Sequence, residues 1–261
     1  MTIFRHELRR GRAAFWIWTA SIAGLLVICV FLYPEMKSEM GAVGDMFASM
    51  GSFTAAIGMD RLNIGTLTGF YAVECGTVLG LGGAFFAALT GVSALAKEER
   101  DRTAEFLLTH PISRTRVAAE KLAAALAQVT AMDLVILALA ALAMGLIGED
   151  IPWREVLLLH GAYYLLQAEL VCVCFGLSAF LVRGGAGTGM GLAAMLYFLN
   201  LAANMSERAK FLKYLTPFAY CEGADVAAGG RLDAGLVMLG MLAACAGAAA
   251  AFLRFRTKDI H

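Results

Sequence analysis

Six long apolar runs, at residues 14–33, 70–96, 122–147, 156–182, 188–205 and 234–253, set the limits on what this chain can fold into. A helix needs about 20 mainly apolar residues to cross the hydrocarbon layer of a bilayer, and all six runs are near or above that length. A soluble helix buries one stripe and leaves the opposite face polar, so it has no use for such runs. Charge usage agrees, at 16% of residues against about 25% in a soluble domain. Backbone polar groups in lipid must be satisfied within their own segment, which a helix does. The expectation is an all-α polytopic membrane protein with six transmembrane helices and a single transmembrane domain over residues 1–261. The first run reads as a span rather than a cleaved signal peptide, because it is too long and no small-x-small site follows Tyr33.

Charge sets the direction of threading. The chain carries 21 Lys and Arg against 21 Asp and Glu, so its net charge points to no nucleic-acid partner. The distribution is uneven. With the amino terminus inside, 14 of the 21 cations fall on inside segments, the bias expected of cytoplasmic loops. Both termini are then cytoplasmic, in a plasma or inner membrane, although Arg208, Lys210 and Lys213 fall outside near a span end. The six cysteines are scattered and mostly within apolar runs, so they read as small apolar fillers. Cys172 and Cys174, two apart on a helix, point to different sides and make a poor metal grip.

The connections carry more detail. Residues 1–13 place Phe4, Leu8 and Gly11 on one helical side and Arg5, Arg9 and Arg12 on another. This suits either a helix lying in the inner interface, with its cations near anionic lipid headgroups, or a plain positive flank. The external loop 34–69 repeats Met36, Met40, Val43, Phe47 and Met50 at helical steps. That stripe is expected to pack on the spans or to line an adaptable apolar contact. Residues 97–116 are the one strongly charged block between spans. In it Phe106, Leu107 and Leu108 lie among charges, Pro111 stops a helix, and Ser113 caps the next one. Apolar residues within a charge run suggest a cytoplasmic helix docked into another protein's groove. Residues 183–187 read as a tight cytoplasmic glycine turn. Gly76/Gly80 and Gly187/Gly191 have the small-x-x-x-small spacing of close helix contacts. Residues 206–232 read as an external re-entrant or interfacial hairpin broken at Pro217, tolerated only where protein or water covers its backbone.

Three acids fall inside spans. Glu74 is near an outer end, within reach of the interface, whereas Asp133 and Glu169 lie near mid-span. A carboxylate there costs about 3 kcal/mol on insertion scales. Two roles compete for Asp133 and Glu169: lining a polar substrate path, or making hydrogen bonds between spans. His160, near an outer end, reads as interfacial. An ion- or proton-coupled secondary transporter using Asp133 and Glu169 is the alternative function, weakened by the lack of a basic residue at mid-span. No ATP-binding loop, His-Glu-x-x-His or Gly-x-Ser-x-Gly is present, so the chain reads as non-catalytic by itself, binding no cofactor or metal.

Four stretches then carry a resemblance. They are Phe4-Arg5-His6-Glu7-Leu8-Arg9-Arg10; Glu98-Glu99 through Thr103, Glu105, Leu107, Leu108 and Pro111-Ile112-Ser113-Arg114; Leu215-Thr216-Pro217-Phe218; and Phe255-Arg256-Thr257-Lys258-Asp259-Ile260. In this order and spacing the chain resembles the type-2 ATP-binding-cassette (ABC) transporter permeases, which are membrane subunits of many bacterial exporters. It departs from them at Arg102, where the family usually has Gly, and at Thr216, where it has Ser. The resemblance implies an amino-terminal elbow helix and a cytoplasmic coupling helix in the first inner loop. It also implies a second permease subunit, alike or different, and a separate ABC ATPase that holds ATP and Mg. The ATPase-coupling residues would be Glu98, Glu99, Arg102, Thr103, Glu105, Phe106, Leu107, Leu108, Pro111 and Arg114. Substrate identity is not implied.

Overall fold

The computed structural model describes residues 2–39, 54, 62–100, 112–181 and 185–257. Among them all regular structure is helical, and six helices are long and apolar enough to cross a membrane. The first span is α1 (Thr2–Ser38). The second is α2 (Leu67–Glu74), continued through a π-helical stretch (Cys75–Leu81) into α3 (Gly82–Arg100). The third and fourth are α4 (Arg114–Leu146) and α5 (Trp153–Ser178). The fifth is α6 (Ala186–Met205). Two 3₁₀ segments (Glu207–Leu215 and Pro217–Cys221) and the short α7 (Gly223–Gly229) follow. The sixth span is α8 (Ala234–Thr257). α1 and α4 begin 12 and eight residues ahead of their apolar runs because backbone hydrogen bonding continues into the polar flanks, whereas α5 ends at Ser178, four residues short of its run. Most of the Met40–Met50 stripe, Arg102–Pro111 of the charged block, part of the glycine turn and the tail from Lys258 lie outside the described residues.

Residues 2–13 continue without a break into the first span. Thr2–Ser38 is one uninterrupted α-helix of 37 residues, about 55 Å long at 1.5 Å per residue. No proline precedes Pro34, whose missing N–H costs only a bond in the final turns. The amino-terminal turns are also pinned. Ile3 is buried with Ala94, Leu95, Val117, Ala118, Phe175 and Phe255, and Glu120 accepts from the Phe4 N–H at 3.2 Å. That bond satisfies one of the donors a helix start leaves open.

The core is built on α3 and α5, with α1 against α4 and α8 against α5. Small residues bring the backbones together. A Cβ added at Gly91 of α3 would lie 2.6 Å from the Val171 carbonyl of α5, and one at Gly247 of α8 would lie 2.7 Å from the Cys172 carbonyl. Gly76 and Gly80 form a notch for Tyr163, whose hydroxyl and ring would meet an added Cβ at 2.9 and 3.0 Å. The packing reading thus holds for that pair. It does not hold within this chain for Gly187 and Gly191, which have nothing within 4 Å. Large apolar side chains such as Ile17, Ile28, Leu142, Phe198 and Leu242 remain exposed along the spans, as suits helices surrounded by lipid.

Polar contacts sort the helix ends into two groups. At one end Lys37 pairs with Glu149 at 2.7 Å, and Arg154 donates to the Gly230 carbonyl at 3.3 Å. At the other, Glu7, Lys97, Glu98 and Lys121 cluster, and Arg114 donates to the Phe255 carbonyl at 3.4 Å. This is the alternation that up-and-down threading requires.

Candidate functional site

The charged block hangs between α3 and α4, and the structure describes both of its roots. Ser113, with extended backbone, caps α4 by accepting from the Arg116 N–H at 3.3 Å, as its place before the helix predicts. Lys121, about two turns further on, is 2% exposed. Its ammonium donates to Glu7 Oε1 of α1 and to Glu98 Oε1 of α3, each at 2.7 Å. Lys97 donates to the other Glu7 oxygen. Two cations and two anions therefore tie three helices together beside the loop. Among the expected coupling residues, Glu98 is turned back onto Lys121 and Arg114 reaches the end of α8. Glu99 lies within α3. Arg102, Thr103, Glu105, Phe106, Leu107, Leu108 and Pro111 lie outside the described residues.

The mid-span acids sit on different partners and are not brought together. Asp133 Oδ1 accepts from Gln167 Nε2 at 3.2 Å, linking α4 to α5. Glu169 Oε2 accepts from the Tyr220 hydroxyl at 2.9 Å, linking α5 to the second 3₁₀ segment. Each acid thus makes a hydrogen bond between elements. Gly240 of α8 leaves room for the Glu169 carboxylate, which an added Cβ would strike. His160 is turned into the protein rather than towards its surroundings. It is 4% exposed, and its Nε2 lies 2.7 Å from the Tyr71 hydroxyl. The reason is that α5 turns this face towards α2, where Tyr71 stacks on the ring.

The hairpin breaks at Thr216–Pro217, where the Thr216 hydroxyl accepts from the Phe218 N–H and donates to the Leu196 carbonyl. Pro217 through Cys221 are buried against α5, α6 and α8, so protein covers this irregular backbone, as it must. The fold-back delivers an acid the sequence reading missed. Glu222, 8% exposed, accepts from Asn200 Nδ2 at 3.1 Å and Asn204 Nδ2 at 2.7 Å. The available signal was the pair of asparagines one turn apart in an otherwise apolar span. Among the described residues no group of three or more His, Cys, Asp or Glu can hold a metal ion.

These features define a polytopic helical membrane protein with an ion cluster tying three helix ends at one end of the bundle and polar ties within it. Residues 1–260 match the family described as "ABC-2 family transporter protein", and the chain belongs to that family. No curated protein matches it.

Proposed function

We propose that the chain is the membrane-spanning permease subunit of an ATP-driven exporter. It pairs with a second permease, alike or different, in the cell membrane, with both termini in the cytoplasm. A separate ABC ATPase binds ATP and Mg and docks on the 97–116 loop. The observation that carries this reading is the family match over residues 1–260, joined to a sequence with no nucleotide-binding loop of its own. In this arrangement Phe106, Leu107 and Leu108 anchor in the ATPase, while Glu99, Arg102 and Glu105 set its register. Glu98 acts from the loop's root through Lys121. A push on the loop is then passed at once to α1, α3 and α4, because the ion cluster holds their ends as one body.

The test is co-purification. With Phe106→Ala and Leu107→Ala together, the chain inserts normally and no longer captures its ATPase. Undiminished capture sinks the docking reading. Transport by the chain alone, indifferent to ATP and lost when the ion gradient is collapsed, replaces it with the secondary-transporter reading.

A further inference from the structure

A cleft of about 360 Å³ runs between α1, α3 and α4 beside the ion cluster, within the roughly 300–1,000 Å³ typical of small-molecule sites. Its wall is small in the middle, where Gly11 and Ala14 of α1, Ser93 of α3 and Ala125 of α4 leave the space open. Glu7, Gly11, Ala14 and Trp18 follow at steps of four, three and four, so they form one stripe of α1. Phe86, Thr90, Ser93 and Lys97 repeat those steps on α3 in the opposite direction. The stripes meet at both ends: Lys97 bonds Glu7, and the Trp18 and Phe86 rings pack with centroids 6.4 Å apart. Glu7 to Trp18 spans about 16 Å at 1.5 Å per residue. That is close to one leaflet's share of a hydrocarbon layer about 30 Å thick. Ala14 is exposed and Ser93 half-buried, so the cleft opens sideways between α1 and α3.

The two ends differ in chemistry. Trp18 and Phe86 give the deep end an apolar floor. At the other end the charged residues on the wall are Arg10, Lys97 and Lys121 against Glu7. Glu7 has both oxygens engaged, Oε1 by Lys121 and Oε2 by Lys97, so its charge is met. The Lys121 side chain is 1% exposed and supports Glu7 from inside the protein. The Lys97 side chain is 13% exposed and gives Glu7 one of the three N–H donors of an ammonium. Arg10 is exposed and stands one turn from Glu7 on α1. Gln128 of α4 lies over Gly11, where an added Cβ would be 2.6 Å from its amide oxygen. That sets an amide one turn deeper than the cations. Basic pockets between spans, beside the membrane surface, are sites for anionic lipid headgroups.

We propose that this cleft holds an anionic, phosphate-headed lipid from the leaflet on the side of the 97–116 loop, with one of its chains inside. The Lys97 ammonium and the Arg10 guanidinium donate to the phosphate oxygens, Arg10 through its planar fork. The Gln128 amide donates to the ester carbonyl that follows the phosphate. The chain runs past Gly11, Ala14 and Ser93 to Trp18. A free phosphate leaves the apolar length of the cleft unfilled, and a zwitterionic lipid brings a cation of its own towards Arg10 and Lys97. An anionic lipid meets both ends. Binding here goes beyond the permease reading, and its measurement needs neither the ATPase nor a cytoplasmic loop.

The full chain in phosphatidylcholine nanodiscs would be irradiated with phosphatidic acid that carries a diazirine in mid-chain, and the labelled peptides mapped by mass. Labelling is expected at residues 11–18, 86–93 and 121–128. Unlabelled phosphatidic acid displaces it, whereas extra phosphatidylcholine and inorganic phosphate do not. Arg10→Gln lowers it by about tenfold or more, the factor for losing one hydrogen bond to a charged group. Ala14→Trp, which fills the cleft from its exposed side without touching the ion cluster, does the same. Arg9→Gln removes the same charge from the neighbouring exposed residue, which is not on the cleft wall, and leaves labelling unchanged. Equal loss with Arg9→Gln overturns the proposal, as does label spread evenly over lipid-facing helices. Displacement by inorganic phosphate overturns the lipid as occupant. Full labelling of Ala14→Trp also overturns the proposal, and decides the matter should Arg10→Gln fail to fold.

Discussion

Replacing Lys121 by methionine removes an ammonium that joins three helices at once while keeping most of the side-chain volume. The lysine side chain is 1% exposed, and its partners Glu7 and Glu98 are 8% and 13% exposed. Breaking a buried pair by removing one member costs about 3–5 kcal/mol, because the remaining charge stays buried and uncompensated. Lys97 continues to neutralise Glu7, so the loss falls mainly on Glu98. The lower figure applies, about 3 kcal/mol, or about a hundredfold in the folding equilibrium. The assay is unfolding of the purified protein in detergent, followed by helical circular dichroism. Lys37→Met is the internal control. Its pair with Glu149 has side chains 49% and 31% exposed, and a solvated pair of this kind contributes far less than a buried one. Raising the salt shrinks the Lys37 effect and leaves the Lys121 effect in place, since screening acts on exposed charges. Adding Glu98→Gln to Lys121→Met restores part of the loss by removing a buried carboxylate that has lost this ammonium. A Lys121→Met effect no larger than that of Lys37→Met refutes the clamp.

Two further outcomes follow from the packing. Tyr220→Phe removes the donor to Glu169 and destabilises by about 1–3 kcal/mol, the range for a bond to an ionisable group, read in the same unfolding assay. Gly91→Leu forces a side chain into the backbone of α5. It costs at least about 1–3 kcal/mol as overpacking, and lowered yield of folded protein from membranes is the readout.

What was legible in the sequence is what depends on neighbours along the chain. Apolar runs of about 20 residues announce spans, Ser113 before Arg114 announces a helix cap, and Thr216-Pro217 announces a break. The site depended on long-range pairing instead. Lys121 reads as one more cytoplasmic cation until the fold sets it against Glu7, 114 residues away. Glu222 follows a buried segment too short to register as a span, and only the fold-back brings it to Asn200. His160 reads as interfacial because its distance along the run says nothing of Tyr71, 89 residues away. The π-helical stretch at Cys75–Leu81 had no local mark beyond its glycines. The continuity of α1 was equally hidden, since an amphipathic start suits a separate helix as well as the first turns of a long one.

The central claim is that the charged block faces the cytoplasm, where a separate ATPase can grip it. Thr109→Cys, in a chain whose six native cysteines are replaced by serine, tests it with a membrane-impermeant maleimide. Lys213→Cys in the same background serves as the marker for the other side. The account predicts that Lys213→Cys is labelled in intact cells, and that Thr109→Cys is labelled only after the membrane is permeabilised. Labelling of Thr109→Cys in intact cells contradicts it.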